Sequence, residues 1–149
     1  MSIFANYSDV HTHRLDAGLD AIINLPLDSI DSIPADGRSY SVGVHPWDAE
    51  AQVDWERLRQ AASLPQVVAI GECGLDALRG PALDVQEPVF VRQARLAEEL
   101  GKPLIVHCVR AYGRLMELRR ALSPSQPWLV HGFRGKPELA RQLAALCFE

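Results

Sequence analysis

The sequence predicts a parallel α/β fold with chemistry-bearing side chains gathered at one end of its sheet. Two observations predict it. From residue 41 onward short apolar runs alternate with helix-patterned stretches, which is the pattern of βαβ units. All five histidines and one glutamate also fall at the ends of such runs, the edge where parallel α/β folds assemble their sites.

The elements follow in order. The first apolar run ends in "YSDVHTHRLD" near residue 10, and "AIINL" near residue 23 forms the second strand. A parallel crossover usually needs a dozen residues or more, so the connections within residues 14 to 40 must be abbreviated. "SVGVH" near 43 is the third strand, "WERLRQAAS" a helix, and "VVAIGE" near 69 the fourth strand, closed by Glu72. The long helix that follows has Asp84 and Glu87 as an approximate capping box. It repeats Phe90, Ala94, Ala97 and Leu100 at helical spacing and ends at Gly101 and Pro103. "LIVH" near 105 is the fifth strand, and a helix with Leu115, Leu118 and Leu122 on one face stops near Pro124. "WLVH" near 129 is the sixth, and a last helix opens at Pro137 with Leu139, Leu143 and Leu146 aligned. "LCFE" reads as a strand just begun. Six strands and a stub fall short of a closed parallel barrel, which has eight strands and about 250 residues. The expectation is one domain, residues 1–149, an incomplete barrel without its last two βα units. Its exposed sheet edges would permit self-association, and no other stable protein partner is expected.

Composition sets the class. With 48% apolar and 23% charged residues over 149 positions, the chain has the makeup of a globular domain with a core. No apolar run reaches the length of a membrane span and the first residues lack a signal-peptide pattern, so a cytoplasmic protein without membrane contact is expected. Cys73, Cys108 and Cys147 form no C-x-x-C pair, which points to reduced thiols rather than a disulfide framework. A net charge of −4 argues against a broad basic surface for nucleic acid but leaves open a strand held by metal ions and a few arginines.

Side chains two apart on a strand face the same way, so His11 and His13 project together, as chelation of one ion requires. An isolated H-x-H is more often a pair of core or surface histidines. Here His45, Glu72, His107 and His131 each close a separate run, and that coincidence favours a metal site. Imidazoles with a carboxylate suit zinc or another divalent transition ion better than an oxygen-rich magnesium site. Cys73 and Cys108 directly follow proposed ligands and so point to the opposite face, toward the helices. Arg14, Arg79, Arg110 and Arg134 come just after strand ends. Each alone reads as a solvated loop arginine, and together they suit phosphate or carboxylate oxygens.

Taken in order, "DVHTH", "GVHPW", "AIGECGLD", "PLIVHC" and "LVHGFRG" resemble the successive motifs of the TatD family of metal-dependent hydrolases, a branch of the amidohydrolase-like barrels. The likeness spans nearly the whole chain. It implies a TIM-type (β/α) barrel with two divalent metal ions, Zn²⁺ or Mg²⁺, and a deoxyribonuclease activity on DNA or small phosphodiesters that can run from the 3′ end. By the resemblance, His11 and His13 hold the first ion, Glu72 bridges both as the catalytic carboxylate, and His107 with His131 holds the second. His45 matches a family histidine near the substrate pocket and falls to the substrate or to a contact supporting the ligands, while Arg14, Arg79, Arg110 and Arg134 stay substrate contacts on their placement alone. Val109 and Arg110 stand where the family has an Arg-Asp or Arg-Glu pair, Ala77 where an aromatic often follows G-L-D, and Arg134 in place of a serine. The family's last ligand, an aspartate on the eighth strand, would lie beyond residue 149, leaving five of six ligands. Two alternatives stand beside the nuclease: a metal-dependent hydrolase of another ester, lactone or amide, and a catalytically impaired remnant.

Overall fold

A computed structural model describes residues 2–146. Its six strands are β1 (Asp9–Thr12), β2 (Ala21–Leu25), β3 (Ser39–Val42), β4 (Val67–Asp76), β5 (Leu104–Val109) and β6 (Trp128–Val130). They form one all-parallel sheet in chain order. Four helices, α1 (Trp55–Ala62), α2 (Leu83–Leu100), α3 (Tyr112–Leu122) and α4 (Pro137–Ala145), accompany β4 to β6. The stretches between β1, β2 and β3 hold only a 3₁₀ turn, Leu27–Ser29, so the early crossovers are abbreviated as expected. Cys147 and all but the first residue of the expected "LCFE" stub lie outside the described residues.

The sheet is curled into a half-barrel. Held flat at ~4.8 Å spacing, six strands would separate the first from the last by roughly 24 Å. Instead the rings of His11, on β1, and His131, just past β6, stack with centroids 4.3 Å apart. Two apolar clusters support this shape. The larger fills the space between the convex face and the helices, with Val42, Ile70, Cys73, Leu75 and Val106 meeting Leu58, Phe90, Ala94 and Leu115. The smaller lines the concave face, where Ile22, Ala69, Ile105 and Leu129 close around Phe4 from the N-terminal turn. Two residues further along the same strand faces come Asn24, His107 and His131, so the inner apolar layer is the floor beneath the polar one. Among the described residues, no helix is long and apolar enough to cross a membrane.

Two local expectations are corrected. Asp84 and Glu87 do not form a capping box: α2 starts at Leu83, Ala82 caps it without a side-chain bond, and Glu87 pairs with Arg114 of α3 at 2.5 Å. The C-terminal stop does hold, with Gly101 left-handed at φ 65°. Glu72 also does not close its strand, because β4 runs on to Asp76. Between the pairs Ile70–Leu104 and Cys73–Val106, β4 spends three steps against two on β5, a bulge that contains Gly71 and Glu72. Beyond it β5 continues to pair with Gly74, Leu75 and Asp76, which is what extends the strand.

Candidate metal centre

Glu72 is the hub. Its side chain is buried, and each carboxylate oxygen meets its own set of imidazoles. Oε2 lies 3.1 Å from His11 Nε2 and 3.9 Å from His13 Nε2. Oε1 lies 3.0 Å from His107 Nδ1, 2.5 Å from His131 Nε2 and 3.7 Å from His45 Nε2. The structure therefore brings together all five histidines with the glutamate, drawn from β1, β4 and β5 and from the segments just past β1, β3 and β6. Burial by itself would push the Glu72 carboxyl up, but hydrogen bonds from His107, His11, His131 and His45 outweigh it and hold the group far below the usual carboxylate range. His13 is held below the ordinary imidazole value by partial burial and by His11 beside it.

The donor set fits a metal ion. His11, His13 and Glu72 form one group whose donor atoms converge, and His45, Glu72 and His107 form another. His11 Nε2 is 3.2 Å from His13 Nε2, close to the ~3.4 Å that separates two ligands placed ~2.1 Å from a tetrahedral zinc. His11 Nδ1 is buried without a hydrogen-bond partner among the described residues, so the ring is held on the Glu72 side alone.

The surrounding residues hold this geometry, and several were not singled out from sequence. Asp76 points to the same face as Glu72, four residues on, and its Oδ2 lies 2.9 Å from His107 Nε2. His107 is thus gripped at both ring nitrogens by carboxylates. Burial raises the Asp76 carboxyl, while bonds from His107, the Trp47 indole and the Leu78 and Arg79 amides together bring it down to about 2. The Trp47 amide donates to His45 Nδ1 at 3.1 Å, leaving Nε2 to face Glu72. Asn24, buried on β2, donates to the Gly71 carbonyl at 2.6 Å and to Ser41 at 3.1 Å, pinning the bulge that aims Glu72. Two buried glutamines of α2 each grip one main-chain residue by both polar groups. Gln93 accepts from the Val44 amide at 2.7 Å and donates to its carbonyl at 3.1 Å, just before His45. Gln86 does the same for Asp76, at 2.7 and 2.9 Å. Gly74 is fixed by close approach, since a Cβ there would sit 1.9 Å from the His107 carbonyl oxygen. The "G-L-D" of the sequence thus marks a packing requirement and a carboxylate that orients the His107 ring.

The cysteines sit as expected. Cys73 and Cys108 are buried, Cys73 against the Ile105 carbonyl, and burial pushes the Cys108 thiol up to about 12. The arginines do not converge on the hub: among the described residues, no ion pair joins Arg14, Arg79, Arg110 or Arg134 to Glu72. All four are exposed. Arg14 pairs with Asp16 at 3.3 Å, and Arg79 lies over the Trp47 ring, 5.3 Å from its centroid.

Comparison with known proteins gives the family. A family model described as TatD related DNase matches residues 31–148. The chain is 38% identical over 146 residues to the 3′-5′ ssDNA/RNA exonuclease TatD of Cronobacter turicensis, covering 87% of this chain and 53% of that protein. Against the protein of the same description from Escherichia coli K12 it is 35% identical over 148 residues, covering 87% and 54%. The crystal structure of YJJV, a TatD homologue from Escherichia coli K12, superposes with a TM-score of 0.73 at 26% identity, covering 87% of this chain and 54% of that one. The chain therefore spans about half the length of the relatives it matches. On the match of its ordered sequence and the shared half-barrel, it belongs to the TatD related DNase family.

Proposed function

We propose that the Glu72 centre holds two divalent metal ions and hydrolyses phosphodiester bonds at the 3′ end of single-stranded nucleic acid, the activity carried in the names of the relatives above. The observation that carries this reading is the division of one buried carboxylate between two imidazole sets, His11 with His13 on Oε2 and His107 with His131 on Oε1. A carboxylate that bridges two ions needs this arrangement. When bound, the two ions supply an activated nucleophile and charge stabilisation on the reacting phosphoryl oxygens. The chain's own part is orientation. Glu72 stays ionised and so remains a ligand over the whole physiological pH range. Asp76 turns His107, the Val44 clamp sets the chain direction into His45, and the Trp47 amide on its Nδ1 fixes the ring that this reading gives to the substrate. Arg79 is the arginine best placed to meet the strand, through its position over Trp47. Arg14, Arg110 and Arg134 remain in the proposal as outer phosphate contacts, all three exposed.

Metal analysis tests the reading. Purified chain equilibrated with Zn²⁺ or Mg²⁺ is expected to hold two equivalents, and Glu72→Gln at most one. A 5′-labelled single-stranded oligonucleotide should shorten from its 3′ end only with metal present. No metal in the unaltered chain, or equal loading in Glu72→Gln, refutes the proposal.

A further inference from the structure

We infer that Trp47, with Leu78 and Arg79 beside it, is a stacking platform for an unpaired nucleobase next to the Glu72 centre, an inference that rests on the nucleic-acid hydrolase reading. Trp47 is 45% exposed and Leu78 60%, whereas Trp128 is fully buried in the core. An exposed indole is ordinarily free to change rotamer, but this one is tethered. Its N–H donates to Asp76 Oδ2 at 2.8 Å, the same oxygen that meets His107, and its backbone amide is bonded to His45. The ring is therefore fixed relative to the hub, with centroids 4.7 Å from His45 and 6.1 Å from His107. That places it within one nucleotide's reach of a phosphodiester lying over Glu72.

The chemistry of the patch selects the ligand. The neutral indole face offers stacking and no hydrogen-bond code, which any base accepts and which gives little sequence preference, and Leu78, whose amide is bonded to the same Asp76 carboxylate, adds exposed apolar surface. The adjacent Arg79 guanidinium can stack on the same base or meet its phosphate. Asp48, next along the 3₁₀ turn, adds a negative charge that disfavours a bare phosphate over the ring. A base inside a duplex is covered on both faces by its neighbours and cannot use the platform, so the patch favours single strands.

Equilibrium binding tests this with Ca²⁺ present to suppress turnover. The probes are a single-stranded dT oligonucleotide and the same oligonucleotide abasic at its last two 3′ positions. The readout is the ratio of the two dissociation constants, which is independent of any general loss of site geometry. The unaltered chain should prefer the intact strand by roughly ten- to a hundredfold. Trp47→Phe, which keeps a face but loses the bond to Asp76, should retain most of that ratio, and Trp47→Leu should bring it close to one. In addition, an oligonucleotide ending in bromodeoxyuridine should photo-crosslink to the unaltered chain at the peptide containing Trp47. A ratio unchanged in Trp47→Leu, a ratio near one in the unaltered chain, or crosslinks only elsewhere overturns the inference. Hydrolysis of the strand is scored separately. A chain that shows the ratio without hydrolysis retains the platform and loses the enzymatic reading.

Discussion

Replacing Gln93 by leucine tests how the metal centre is held. Gln93 is fully buried, and its amide pairs with both polar groups of Val44, at 2.7 Å to the N–H and 3.1 Å to the carbonyl. Leucine has a similar volume, so the substitution leaves little cavity and isolates the polar effect. It strands one donor and one acceptor in a site without water access. Each such group costs about 1–3 kcal/mol, so the pair costs about 2–6 kcal/mol, a large part of the ~5–15 kcal/mol that stabilises a typical domain. The bond from Gln93 to the Val89 carbonyl adds nothing essential, because that oxygen belongs to the helix ladder. Urea denaturation followed by circular dichroism measures the change, with the slope of the transition unaltered. The loss should come with weaker metal binding, since Val44 leads directly into His45. A loss under about 1 kcal/mol, or unchanged metal affinity, refutes the idea that this clamp positions the site.

Two further predictions concern the supports. Gly74→Ala should cost about 3 kcal/mol or more or prevent folding, because the added carbon would meet the His107 carbonyl at 1.9 Å and the residue has φ 146°; a thermal midpoint within a few degrees of the unaltered chain would contradict the packing. Glu98 accepts from Ser125 Oγ at 2.6 Å and from the Ser125 and Gln126 amides at 3.1 and 2.7 Å, fastening the loop before β6. Burial raises its carboxyl, but the Ser125 and Gln126 bonds prevail and hold it below the ordinary value. Its contribution is therefore complete above the unfolded carboxyl's pKa of 4.5 and fades as pH falls through the lower folded value. Glu98→Gln should lose about 1 kcal/mol at pH 7, and the difference from the unaltered chain should shrink below pH 4 in denaturation curves.

The strands and the hub were legible in the sequence because both are written locally. β-runs followed by histidine, the H-x-H spacing and the leucines of α3 and α4 state their own geometry through periodicity. What the sequence hid depends on contacts across the sheet. Glu72 looked like a strand end because Cys73, Gly74 and Leu75 continue a run that no periodicity distinguishes from a loop; the bulge and the pairing with β5 decide it. Asp76 read as a motif letter, and its role appears only when β5 places His107 opposite. Gln86 and Gln93 look like ordinary polar positions on α2, yet they are 1% and 0% exposed, each bonded to both main-chain polar groups of one residue of the sheet side, Asp76 or Val44. The approximate box at Asp84 and Glu87 misled for a related reason: Glu87 is used by Arg114 on the neighbouring helix rather than by its own N-terminus.

The contact between His11 and His131 has a mechanical consequence. Those residues come from the two outer strands of the sheet, and Glu72 stands midway between them on a strand paired on both sides. Anything that binds Glu72 together with both histidines acts as a tie-rod across the half-barrel, joining its rims through the middle. Curvature of the sheet and occupancy of the centre then become one thermodynamic variable: a flattened sheet cannot hold the ligand, and a held ligand cannot let the sheet flatten. By mass action, each factor of ten in free ligand above the dissociation constant would deepen the curled state by about 1.4 kcal/mol.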